Sequence, residues 1–279
     1  MRFKAKMKAG TLAGDLVSVH VGGRTLTVRE ATGAMGGTGG RVWSCSVMLM
    51  EWLVETGVAR GRHVVELGCG TGVVGIACSE VPALGALSVV LSDMDDDSLD
   101  LARANLTEMA SKRTSDADAD AKSWSALAVA APPVVVCKFN WADPVGCLVE
   151  QLQPEPEGDP SLSSAEPRGV LVVGSDVCYN TPAAIEDLCK AVKGILRHPR
   201  WRGAEAEFVS VCGLRERTLL PCLLAAVCRH GLYVVDGEPE AMTPSVEAGT
   251  IAARHVWDGN AIGSAAAGGY VRFALRAAG

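Results

Sequence analysis

Apolar positions along this chain follow two rhythms. Residues 16–21 and 24–28 alternate between apolar and polar side chains and flank Gly22-Gly23. That spacing predicts a β-hairpin with one wet face, lying on or beside a main domain. Short apolar runs follow at 64–67, 88–92, 134–137, 169–174 and 208–212. The 64–67 run reads as a buried strand, and 169–174, apolar on both faces, reads as a central one. Segments with helical spacing separate the runs. They pass through Val47, Met50, Leu53 and Val54, then from Val73 onward, then through Leu99, Ala102, Asn105 and Leu106. Further helices are predicted from Pro182 through Leu188, Val192 and Leu196, and over 219–230. Residues 232–235 and 270–275 are candidates for a closing antiparallel pair. Strands alternating with helices predict an α/β fold with a doubly wound sheet of seven strands, covered on both faces.

Three stretches interrupt the pattern. Residues 33–40 carry five glycines and predict a mobile loop. Residues 111–125 are polar, include Asp116-Ala117-Asp118-Ala119-Asp120, and read as a surface insertion. Residues 153–168, with Pro154, Pro156, Pro160 and Pro167, read as a second one. The expected organisation is a hairpin and Gly-rich loop over 1–40, followed by the main domain over 41–279.

Composition narrows the function. The chain has 279 residues, 48% of them hydrophobic but only 5% aromatic, so its core must be built mostly of Val, Leu and Ala. A net charge of −6 without a basic stripe argues against binding nucleic-acid backbone. The ten cysteines include no C-x-x-C pair and are scattered through apolar runs, which disfavours structural zinc and a disulfide scaffold. They suit a reducing compartment. No window is apolar enough to span a bilayer. Arg2, Lys4, Lys6 and Lys8 could belong to an organelle transit peptide. They lead straight into the hairpin, however, so the expected location is cytoplasmic, with chloroplast or mitochondrion as the alternative.

The chemistry centres on His63-Val64-Val65-Glu66-Leu67-Gly68-Cys69-Gly70-Thr71-Gly72-Val73-Val74-Gly75. A strand breaking into alternating glycines and resuming as a helix makes a nucleotide pocket, because glycine leaves no side chain between backbone and ligand. Two templates fit. Gly70-x-Gly72-x-x-Gly75, with Asp93 downstream, matches the dinucleotide fingerprint. Glu66 favours the other: a carboxylate beside the loop would repel a pyrophosphate but suits the cationic amino-sulfonium end of S-adenosylmethionine.

Further candidates stand at predicted strand ends. Asp93 is placed for ribose hydroxyls, with Met94 next to it. Asp95, Asp96 and Asp97 read as capping and first-turn acids of the next helix, with a metal cluster as the weaker alternative. Trp43 either packs the entry of a helix or covers the cofactor mouth. Trp141 and Ser175-Asp176-Val177-Cys178-Tyr179 fall on the edge where an open parallel sheet binds its ligand. Arg215, Glu216 and Arg217 follow the fifth strand at that edge, and a solvated charge cluster is their plain reading.

Together, Val42-Trp43, Glu66–Gly72, Asp93, Asn140-Trp141 and Asp176-Val177-Cys178-Tyr179 resemble family 16 of the seven-strand, Rossmann-like methyltransferases, from about residue 42 to 220. These are lysine-specific protein methyltransferases with a D-x-x-Y sequence. The resemblance implies S-adenosyl-L-methionine as cofactor and a protein carrying a target lysine as partner, with no nucleic acid or membrane involved; a monomer is expected. It implies that Trp43, Glu66, Gly68, Cys69, Gly70, Gly72, Asp93, Met94, Trp141 and Ser175 surround the cofactor. Asp176 and Tyr179 would form the wall where the lysine enters. A lysine with a reference pKa of about 10.4 must lose its proton to react. Desolvation favours that loss and a carboxylate alone opposes it, so Asp176 is expected to bind and orient. Methyl transfer to another protein residue or a small molecule, a nicotinamide-dependent oxidoreductase and a non-catalytic SAM-binding module are the competing readings.

Overall fold

The computed structural model describes residues 14–31, 37–120, 131–152, 169–178, 181–213, 219–235, 256–257 and 270–278. Strands β1 (Leu16–Val21) and β2 (Arg24–Arg29) pair antiparallel through Gly22 and Gly23, both at positive φ (54° and 76°). Two consecutive residues in that region make the tight turn whose twist matches the strands. The wet-face prediction holds: Val19, Val21, Leu26 and Val28 are buried while Ser18 and His20 are exposed.

The main sheet runs in the order β5 (Val134–Lys138), β4 (Ser88–Asp93), β3 (His63–Leu67), β6 (Val170–Ser175), β7 (Ala206–Gly213), β10 (Tyr270–Ala277), β8 (Leu232–Val234). The first five are parallel, and β10 is antiparallel to both neighbours. All seven strands read from the sequence are there. The two-residue strand β9 (Val256–Trp257), which pairs with β10, was too short to leave a pattern.

Two apolar layers enclose the sheet. One gathers the hairpin with α1 (Ser44–Thr56), α2 (Val73–Glu80) and α3 (Asp96–Asp120). The other gathers α4 (Gly146–Val149), α5 (Pro182–Leu196) and α6 (Leu219–Arg229). Val and Leu dominate both cores as predicted, while Ala is frequent only in the first. Helix α3 runs on to Asp120, through the first part of a stretch that composition reads as an insertion. Where the helix enters that stretch, the Ser111 hydroxyl donates to the carbonyl of Thr107 and Lys112 pairs with Glu108, each four residues back.

Candidate functional site

Strand order reverses beside β3, with β4 and β5 on one side and β6 and β7 on the other. In open α/β sheets the ligand crevice forms at that point, beyond the carboxyl ends of the strands. A cleft of about 520 Å³ lies there, a volume within the range of small-molecule sites.

The loop after β3 forms its floor. Gly68, Gly70 and Gly72 all have positive φ (67°, 51° and 77°), conformations that side chains resist. A Cβ on Gly70 would stand 2.7 Å from the carbonyl oxygen of Gly39, and one on Gly68 3.2 Å from Val177 Cγ1. The loop is therefore bare backbone pressed between two other segments. Gly72 is not on the cleft wall; it caps α2 and packs against Ala102 and Leu91.

Two carboxylates fasten the loop. Glu66, 2% exposed, accepts from the Gly75 N–H at 2.8 Å and so caps α2, which has no side-chain cap of its own at Gly72. Burial pushes its carboxyl up to about 8, with Asp93 adding to the rise and the Gly75 N–H opposing it. Glu66 lines the cleft in largely protonated form at neutral pH. At this helix N-terminus, where a phosphate would seek free N–H groups, the Gly75 N–H is already taken. Asp93 accepts from the Gly70 N–H with Oδ2 and from the Asp95 N–H with Oδ1, both at 3.0 Å. Burial raises its pKa against the pull of those two donors. A carboxylate has about four acceptor positions, so two remain for ligand hydroxyls.

Asp176 continues directly from β6. It is the one non-glycine at positive φ (55°) among the described residues. Its own N–H donates to the Val211 carbonyl at 2.8 Å, and its Oδ1 accepts from the Gly213 N–H at 3.0 Å. Such strain persists only where surroundings enforce it, and it gathers at functional sites. Ser175 Oγ meets Ser46 Oγ at 2.9 Å, tying α1 to the end of β6. Trp43 caps the start of α1 and donates its indole N–H to the Thr38 carbonyl at 2.8 Å.

The structure brings Trp43, Glu66, Gly68, Cys69, Gly70, Asp93, Met94, Trp141, Ser175 and Asp176 to this one cleft. Tyr179 and the Arg215–Glu216–Arg217 cluster lie outside the described residues. Asp95, Asp96 and Asp97 sit at the start of α3 as capping acids: Asp95 Oδ2 accepts from the Ser98 N–H and hydroxyl at 3.0 Å each. Among the described residues, no group of three or more His, Cys, Asp or Glu side chains is placed to hold a metal ion.

Other contributors escape sequence reasoning. The second half of the Gly-rich stretch is no free loop: residues 37–39 and Arg41 line the cleft, with Gly39 packed on Gly70. Five glycines signal freedom locally, whereas Gly39 permits close contact between two backbones. Asn105, wholly buried, accepts from the Arg29 N–H at 2.7 Å and donates to the carbonyls of Arg29 and Thr71 at 3.1 and 3.0 Å. It joins hairpin, fingerprint loop and α3, and only its buried helical position hinted at any role. Ala184 and Asp187 of α5 complete the far wall.

Comparison with known proteins agrees with this geometry. Residues 21–131 match the lysine methyltransferase family. Over 96 residues the chain is 32% identical to the protein-lysine N-methyltransferase EFM3 of Chaetomium thermophilum, a match spanning 34% of this chain and 27% of that protein. Among solved structures it is similar to the Thermus thermophilus 16S rRNA N2 G1207 methyltransferase RsmC (14% identity, 98% of this chain and 53% of that one, TM-score 0.47). It is also similar to the ribosomal protein L11 methylase of Lactobacillus delbrueckii subsp. bulgaricus (14% identity, 85% and 81%, TM-score 0.43). The family match agrees with the resemblance over residues 21–131, the part of the chain that carries the fingerprint loop, the Asp93 clasp and Asn105.

Proposed function

We propose that this chain transfers a methyl group from S-adenosylmethionine to the side-chain amine of a lysine in a protein substrate. One observation carries the reading: a single cleft joins a bare-backbone glycine loop, an Asp93 carboxylate with acceptor capacity to spare, and the strained Asp176 turn. The family match and the EFM3 relative support lysine as the acceptor.

The residues present fit the cofactor. Gly68 and Gly70 would admit its amino-acid portion against the backbone, Asp93 its ribose hydroxyls, and Trp141 and the exposed Met94 its adenine. When bound it supplies a methyl group already activated on a cationic sulfur. The chain itself must then align a neutral amine and keep water away. Burial in a narrow channel lowers a lysine pKa. Asp176, held by Gly213, is fixed to orient the amine and to balance the positive charge of the product. The reading extends to a monomer in a reducing, cytoplasmic setting without nucleic-acid or membrane partners; ten free thiols and a net charge of −6 support it.

The test uses tritiated S-adenosylmethionine and a cell extract as the source of acceptor proteins. Label should appear as methyl-lysine after acid hydrolysis. Asp176→Ala should lose at least about tenfold in transfer, as for removal of a positioned polar group, while still binding S-adenosylhomocysteine. Label in another amino acid or a small metabolite, or full transfer by Asp176→Ala, would contradict the proposal.

A further inference from the structure

The carboxylates of the cleft differ in what already holds them. Glu66 is taken by the Gly75 N–H, Asp93 by two backbone donors, Asp95 by Ser98 and Asp176 by the Gly213 N–H. Each of these fixes a loop or a helix start. Asp187 and Asp97 fix nothing: among the described residues no donor or cation holds either, and Asp97 is exposed at the start of α3. Asp187 is half-buried all the same, which sets it apart from Asp97 and from the solvated acids on the outer face of a helix.

Its place is built by α5. That helix starts one short connection after the Asp176 turn, with Thr181 capping it by accepting from the Ala184 N–H and Pro182 in the first position. Ile185 and Leu188 seat it in the second apolar layer. Ala184 and Asp187, one turn apart, then both face the cleft. Thr38, Gly39, Arg41 and Trp43 form a wall from the hairpin side, and α5 forms one from the other layer, next in the chain to the Asp176 turn. Ala184 contributes only a methyl group to that wall, and Asp187 contributes a carboxylate. A charge in such a partly desolvated position attracts an opposite charge more strongly than one on open surface.

We propose that Asp187 is a specificity-determining residue that receives a positive charge of a basic peptide segment entering the cleft. The inference rests on the lysine methyltransferase reading and adds the sequence character of its substrate: basic around the target lysine. Asp187 acts on capture, so its loss raises KM for the protein substrate and leaves kcat alone.

The probe is fluorescein-labelled deca-lysine, titrated by anisotropy into the full chain with and without saturating S-adenosylhomocysteine, whose own affinity is measured by calorimetry. Asp187→Asn should weaken deca-lysine binding by about tenfold, as for loss of a partly buried ion pair, with Asp187→Glu retaining it. Glu51→Gln, which removes the same charge from the exposed face of α1, should leave it unchanged. Added salt should weaken the wild type more than Asp187→Asn. Equal binding by Asp187→Asn, no binding by the wild type, or a parallel fall in S-adenosylhomocysteine affinity would overturn the proposal. Failure of the underlying reading shows separately, as a wild type that gives no calorimetric signal with S-adenosylhomocysteine.

Discussion

Glu66 shows how one side chain can serve fold and site together. Its carboxyl is pushed up to about 8 from an ordinary 4.5 because burial disfavours the charge. Between those pH values the folded chain holds a proton that the unfolded chain has released. The associated stability is therefore complete below about pH 4.5 and is lost as pH rises through 8. Glu66→Gln keeps an acceptor for the Gly75 N–H but cannot ionise. Urea unfolding from pH 5 to 9 should show the wild type losing stability at up to about 1.4 kcal/mol per pH unit relative to this variant. Parallel profiles would refute the assignment. Asn105 makes a comparable case without charge. Asn105→Ala strands buried donors and acceptors on the hairpin and fingerprint loop, and denaturant unfolding should register a loss of roughly 2–4 kcal/mol.

At the scale of elements, the decisive fit is α2 against β4. A Cβ on Gly75 would come within 2.0 Å of Leu91 Cδ2 and 2.9 Å of Glu66 Oε2, both in the buried core. Gly75→Ala should thus lower stability by about 1–3 kcal/mol through overpacking, despite alanine's better helix propensity. A thermal melt unchanged or raised would show that α2 can shift without cost. The same element explains what could be read in advance. The seven strands were legible because buried parallel strands are continuous apolar runs, and the hairpin because alternation and Gly-Gly are local signals. The fingerprint loop and Asp93 were legible because a strand end, a glycine turn and a following acid occur at fixed spacing. What stayed hidden depends on distant partners. The cap that Glu66 gives α2, the packing of Gly39 on Gly70, and the grip of Asn105 on Arg29 and Thr71 join residues up to 76 positions apart. No local pattern records such pairs. Polar composition at 111–120 was a weak guide for a different reason: a polar stretch can continue a helix, and composition does not tell the two apart.

For the whole molecule, the sheet order collects at one edge what lies far apart in the chain. The fingerprint loop follows β3, Asp93 ends β4, Trp141 follows β5 and Asp176 follows β6. Because β3 and β6 are neighbours in register, His63 opposite Val170 and Glu66 opposite Val173, the glycine loop and the Asp176 turn emerge side by side. Hydrogen bonds across that edge hold the glycine loop to Asp93, Ser175 to Ser46 and Asp176 to Gly213, and fixed geometry is what methyl transfer asks of a protein. The proposed function requires a site for S-adenosylmethionine at this edge and not one for a dinucleotide. Isothermal titration calorimetry with S-adenosylhomocysteine, NAD and NADP, on the wild type and on Asp93→Ala, tests it most directly. One equivalent of S-adenosylhomocysteine should bind, neither dinucleotide should, and Asp93→Ala should weaken the binding by at least about tenfold, the loss expected for charge-assisted hydrogen bonds. Binding of NAD or NADP alone, or a nucleoside affinity indifferent to Asp93, would contradict the account.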